Sequence, residues 1–208
     1  MMYMVRSPWL LKKIFSSAVW EMPAAEKKIY LSFDDGPHEE ATPFVLDTLQ
    51  LYNAKATFFC LGKNVAAHPD LYTRILEEGH AAGNHTYSHL NGWKISDKKY
   101  FADISQAREY IDSNLFRPPY GKISTLQAKL IPQTFGMKII MWSVLSGDFD
   151  VRLSEQKCLD NVLLHTKAGS IVVFHDSAKA FSRLTYVLPR VLEHFSGEGY
   201  RFDKIDSA

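Results

Sequence analysis

Two acids stand side by side at Asp34-Asp35, at the end of the apolar run Ile29-Tyr30-Leu31-Ser32-Phe33 and directly before Gly36-Pro37. A strand that ends on two carboxylates and then breaks presents both at its tip, although Asp, Gly and Pro also form turns with no further purpose. Downstream, His85-Thr86-Tyr87-Ser88-His89 sets two imidazoles four residues apart. On a helical turn that spacing puts both on one face, within reach of one ion. Asp35 would complete a set of two imidazoles and one carboxylate, the three-ligand arrangement of a catalytic metal with an open position. Zinc suits these donors; cobalt, nickel or iron also fit, because affinity order does not select the ion. Asp34 adjoins a ligand without being one, and is placed to take a proton from water. Arg117 is the candidate partner that keeps Asp34 ionised. The N–H of Tyr120, after Pro118-Pro119, is a candidate oxyanion donor. His175 is a candidate general acid for a leaving amine, with Asp148 to hold its imidazole and raise its pKa.

These residues need elements that hold them. Helical patterns cover residues 39–52, 71–78, 96–114, 124–135 (with a break expected at Pro132), 154–166 and 184–195, and apolar strand-like runs cover 55–61, 115–117, 137–144, 170–174 and 200–202. Strand followed by helix, repeated, implies a parallel sheet with helices outside it. About seven strands suit a small or distorted (β/α) barrel, and an open doubly wound sheet has the same rhythm. Both put working residues at the carboxyl ends of strands, where Asp34, Asp35, His85, Arg117, Asp148 and His175 all fall on this reading.

With 46% hydrophobic and 23% charged residues, a chain of 208 is an ordinary globular protein with room for a real core. A formal net charge of +1 argues against nucleic acid as a partner. Cys60 and Cys158 make no disulfide framework and read as reduced core residues. No apolar run approaches the ~20 residues of a membrane span. Residues 1–27 read as an amphipathic segment packed on the domain formed by 28–208. Its Trp9, Leu10, Leu11, Ile14, Phe15, Val19 and Trp20, interrupted by Lys12 and Lys13, would alternatively suit a membrane surface. It lacks a clean signal-peptide pattern, so the expected place is cytoplasmic or membrane-associated, with an extracytoplasmic one left open. Nothing in the sequence sets an oligomeric state.

Taken in order, Ser32-Phe33-Asp34-Asp35-Gly36-Pro37, His85-Thr86-Tyr87-Ser88-His89, Arg117-Pro118-Pro119-Tyr120-Gly121, Asp148-Phe149 and Val173-Phe174-His175-Asp176 resemble the five motifs of the polysaccharide deacetylases, metal-dependent carbohydrate esterases. The resemblance implies a distorted (β/α) barrel, one divalent metal on Asp35, His85 and His89, Asp34 as base, Arg117 orienting it, the backbone of Tyr120 at the oxyanion, and His175 as acid tuned by Asp148. It implies a substrate carrying N-acetylated sugars, chitin-like or peptidoglycan, touched by Pro119, Tyr120, Phe149 and Val173. Phe149 stands where the family has tryptophan and Val173 where it has leucine, so the acyl pocket is altered in volume. An O-acetyl ester or a formamido sugar is the alternative substrate. His38 has no family role and reads as a rim residue.

Overall fold

The computed structural model describes residues 4–206; residues 1–3 and 207–208, the outer ends of the two expected segments, lie outside it. In chain order the elements are α1 (Trp9–Ile14), β1 (Lys28–Asp34), α2 (Ala41–Leu51), β2 (Ala56–Cys60), α3 (Gly62–Ala67), α4 (Pro69–Glu77), β3 (Ala81–Asn84), α5 (Asp97–Ala107), β4 (Leu115–Phe116), α6 (Thr125–Phe135), β5 (Lys138–Ile139), β6 (Val144–Leu145), α7 (Glu155–Leu163), β7 (Ile171–His175), α8 (Phe181–Gly197) and β8 (Arg201–Phe202). Seven strands pair in the order β5-β4-β3-β2-β1-β7-β6, and β8 pairs with the start of β1; every pair is parallel.

Chain length forces this sheet to curl. Six strand spacings of ~4.8 Å would put the edges of a flat sheet ~29 Å apart. Yet β5 and β6, at opposite edges, are joined only by residues 140–143, which span at most ~18 Å when fully extended. The result is the distorted barrel that the family resemblance implied, and not the open sheet that the strand rhythm equally allowed.

The seam between β5 and β6 is filled by the N-terminal segment. Val19 pairs with Ile140 (Val19 N–H to Ile139 O, 2.8 Å; Met141 N–H to Val19 O, 2.7 Å), while Leu145 N–H donates to Val5 O at 2.8 Å. Trp20 is buried against the core beside β5 and α6. The helical part of this amphipathic segment is short: α1 has six residues and buries none of them. Backbone pairing with the open sheet edges satisfies more polar groups than one short, capless helix can. None of the described helices is long and apolar enough to cross a membrane.

Strand alternation divides the interior. Leu31, Phe33, Phe58, Val172 and Phe174 face outward beneath α2, α4, α7 and α8, and Tyr30, Phe59, Leu115, Ile140 and Ile171 fill the barrel. On the inward face the same alternation carries Ser32, Asp34, Arg117 and His175 to its upper end. Cys60 and Cys158 are free and buried.

Three expectations need correction. The run 137–144 is two short strands, because the carbonyls of Ile140 and Met141 turn inward to accept from Arg117 (3.2 and 3.1 Å). Helix α5 stops at Ala107, short of residue 114. Helix α6 continues through Pro132, held by a capping box of Ser124 and Gln127 and ended by Gly136 at φ 68°.

Candidate active site

Asp34 closes β1, in register with Phe59 on one side and His175 on the other. Its Oδ1 accepts from Arg117 Nη1 at 2.7 Å. Arg117 is wholly buried; it also donates to Ser32 Oγ at 2.7 Å and lies 4.0 Å above the Phe59 ring. Burial lowers its pKa and Asp34 pulls it back up; a guanidinium stays charged under either influence.

The two histidines converge, but not on a helical turn. Residues 85–89 are a bend with Thr86 at φ 66° and His89 at φ 61°. The amides that a helix would need are taken by side chains: Asn84 Oδ1 accepts from Thr86 N–H (2.8 Å), Thr86 Oγ1 from His89 N–H (3.0 Å), and Asp103 Oδ2 from the N–H groups of Tyr87 (3.0 Å) and Ser88 (2.9 Å). His85 Nδ1 pairs with Arg117 O at 2.8 Å and His89 Nδ1 with the Tyr120 hydroxyl at 3.1 Å, so both Nε2 atoms face Asp35. They stand 3.7 and 3.1 Å from Asp35 Oδ1.

The three donors suit a divalent metal. They lie within 4.8 Å of one another, and Asp35 Oδ1 is buried with no hydrogen-bond partner. Donors at ~2.1 Å around a tetrahedral ion sit ~3.4 Å apart. Burial, with His89 adding to it, drives the His85 pKa down to about 3, and burial lowers that of His89; both rings therefore offer lone pairs at neutral pH. Their outer nitrogens are already fixed, as metal-ligating histidines require. Asp35, Thr86, His89 and Tyr120 are four of the five non-glycine residues with positive φ among those described. Such backbone costs on the order of 1 kcal/mol each and gathers at working sites.

The opposite wall carries His175. Its Nδ1 lies 2.8 Å from Asp148 Oδ1, and its own N–H donates to Asp148 Oδ2 at 2.8 Å. Burial lowers the imidazole pKa, but the Asp148 carboxylate outweighs it and the pKa rises to about 9. The folded state thus holds this proton more tightly than the unfolded chain, whose histidines titrate near ~6.5. Stability from the pair is full below pH ~6.5 and is lost as pH rises through about 9. In melts of the metal-free protein, the Tm advantage of wild type over Asp148→Asn should shrink between pH 6.5 and 9.5; a constant difference would remove the His175–Asp148 charge pairing.

Phe149 sets its ring 5.2 Å from that of His175, edge-on. Pro119 is buried at the head of a single 3-10 turn, and Val173 is 1% exposed beneath His175, so Val173 is floor rather than open wall. The turn's own bonds use the N–H groups of Gly121 (3.0 Å to Pro118 O) and Lys122 (3.0 Å to Pro119 O), and Tyr120 N–H lies ahead of them. His38, read as a rim residue, is partly buried. Its Nδ1 accepts the N–H groups of Glu40 (3.2 Å) and Ala41 (3.3 Å) at the start of α2.

The model of the family described as polysaccharide deacetylase matches residues 21–139. The chain is 36% identical over 189 residues to a peptidoglycan-N-acetylglucosamine deacetylase of Bacillus cereus, covering 88% of each protein. The chain belongs to the polysaccharide deacetylase family. This chain is also 34% identical to chitin deacetylase 2 of Saccharomyces cerevisiae over 164 residues, 73% of this chain and 51% of that protein. Among solved structures it matches the Bc1960 peptidoglycan N-acetylglucosamine deacetylase with a TM-score of 0.87 and 31% identity, over 96% of this chain and 95% of that one.

Sequence reasoning missed Asp176 and Asp103. Asp176 is fully buried, and a Cβ on Gly36 would lie 2.0 Å from its Oδ2. Its Oδ1 accepts Gly36 N–H (3.0 Å), its Oδ2 accepts the Thr42 hydroxyl (2.5 Å), and its N–H donates to Asp34 O (3.2 Å). It therefore ties the loop bearing Asp34 and Asp35 to the strand bearing His175. The signal was its place after His175, which a turn explained equally well. Asp176→Asn leaves one acceptor oxygen for two donors, Gly36 N–H and the Thr42 hydroxyl, and should cost about 1–3 kcal/mol in denaturant unfolding. Metal affinity should fall with it, read by competition with a chromogenic chelator.

Proposed function

We propose that this deacetylase is a metal-dependent hydrolase of N-acetyl groups on amino-sugar polymers, peptidoglycan or chitin-like. The observation that carries this reading is the pairing of two differently prepared groups, Asp34 with Arg117 and His175 with Asp148, beside the Asp35-His85-His89 triad. The triad would hold one divalent cation, zinc by its donor set. When bound, that cation supplies Lewis acidity to the acyl carbonyl and makes a nearby water easier to deprotonate.

The chain's own residues supply the rest. Asp34, with Oδ1 held by Arg117, takes the proton of the attacking water on its second oxygen. Tyr120 N–H stabilises charge developing on the acyl oxygen. His175, charged because Asp148 faces Nδ1, gives the Nε2 proton to the departing sugar nitrogen, so acetate and a free amine result. Phe149 limits the acyl group from the side of His175.

The test is acetate release from N-acetylglucosamine oligomers and from peptidoglycan, with added zinc and after chelation. Release that needs close to one equivalent of metal is expected, and His85→Ala should abolish metal uptake. No divalent-metal uptake near one equivalent would overturn the ligand assignment. A panel of acetamide, formamide and acetate-ester sugars decides the acyl group, and faster ester than amide hydrolysis would move the reading to an O-acetyl esterase.

A further inference from the structure

Four residues beyond His89 stands Trp93, 61% exposed. A large aromatic ring left in water is unusual only when the fold spends structure on holding it there, and here several contacts do so. Trp93 Nε1–H donates to Ile123 O at 2.9 Å, and Trp93 N–H donates to Asn91 Oδ1 at 3.0 Å. The Lys122 ammonium lies 4.1 Å from the ring centroid. The preceding Gly92 lets the turn sit against the next loop, because a Cβ there would stand 2.6 Å from Lys122 O and 2.7 Å from Gln127 Oε1. Gln127 Nε2 in turn donates to Gly92 O at 2.9 Å. The ring is therefore fixed to the loop after β4 although it belongs to the loop after β3, and it gains little burial from this.

Its position gives it a use. The loop that holds it also carries Tyr120, 51% exposed, with its ring 4.5 Å from His89. Tyr120 and the two residues that hold Trp93, Lys122 and Ile123, thus belong to one loop after β4, while His175 ends β7 elsewhere in the sheet. A pyranose ring presents axial C–H bonds on one face and hydroxyls at its edge. It matches the face of this fixed indole that Lys122, lying over the ring from one side, leaves in water.

We propose that Trp93 is a sugar-stacking subsite, which binds a ring of the same glycan chain at a distance from the sugar being deacetylated. The proposal rests on the amino-sugar reading above. It makes Trp93 a determinant of chain length.

The test is binding of N-acetylglucosamine oligomers of one to six units to the zinc-loaded protein, by calorimetry, in wild type, Trp93→Ala and Trp93→Phe. The hexamer should bind about tenfold more weakly to Trp93→Ala and within about threefold of wild type to Trp93→Phe. The monomer should bind all three alike. Tryptophan emission should shift on hexamer addition in wild type and not in Trp93→Phe. Equal hexamer affinity in wild type and Trp93→Ala would overturn the subsite and leave the deacetylase reading standing. Equal loss for monomer and hexamer would also overturn it, as a general disturbance of the site. Wild type that binds and deacetylates no oligomer would instead sink the amino-sugar reading, and the subsite with it.

Discussion

Asp34→Asn should lower acetate release by about a thousandfold or more, the range spanned by loss of a general base, and should leave metal uptake at one equivalent. The asparagine carbonyl can still accept from Arg117 Nη1, which now meets Asp34 Oδ1 at 2.7 Å. The position is almost closed to water, with the side chain 6% exposed, so the local packing has no reason to change. What is lost is the ability to take a proton, together with the counter-charge of the buried Arg117, so a loss of stability is expected beside the loss of turnover. Turnover near wild type would remove Asp34 as the base. Loss of metal along with activity would make it a ligand instead.

Arg117→Met is expected to be the most destabilising single change at this site, about 3–5 kcal/mol and roughly 10 °C in Tm for a chain of this size. The guanidinium holds Asp34, Ser32 and the carbonyls of Ile140 and Met141, and it rests on Phe59. Methionine fills the volume but strands a buried carboxylate and two inward carbonyls. Arg117→Lys should not rescue, because one ammonium cannot reproduce a planar fork with partners on three sides. The double variant Arg117→Met/Asp34→Asn separates the causes. If the stranded charge dominates, it should be more stable than Arg117→Met alone; if the two carbonyls dominate, the two proteins should melt together.

The sequence by itself determined the family and the candidate site residues. The residue types at positions 34, 35, 85, 89, 117, 148 and 175 were legible because ionisable groups directly after apolar runs leave few readings, and five motifs in order narrow those to one family. The sequence also determined the strand-and-helix rhythm, because the period of apolar burial is local. It did not determine how the groups meet. The spacing of His85 and His89 matched a helical turn, and only the competition of Asn84, Thr86 and Asp103 for the backbone amides made it a bend. The split of residues 137–144 depends on Arg117, more than twenty positions upstream, drawing two carbonyls out of a strand. The N-terminal segment looked like a helix with an apolar face, and the open seam of a curled sheet decided otherwise. Asp176 and Trp93 have no assigned role in the sequence, and the structure puts one against Gly36 and the other against Lys122. Apart from the local bonds of Asn84 and Thr86 within the bend, each of these differences is a contact between residues distant in the chain. Local sequence pattern carries propensity and period, while partners for buried or fixed polar groups are chosen only when the barrel closes.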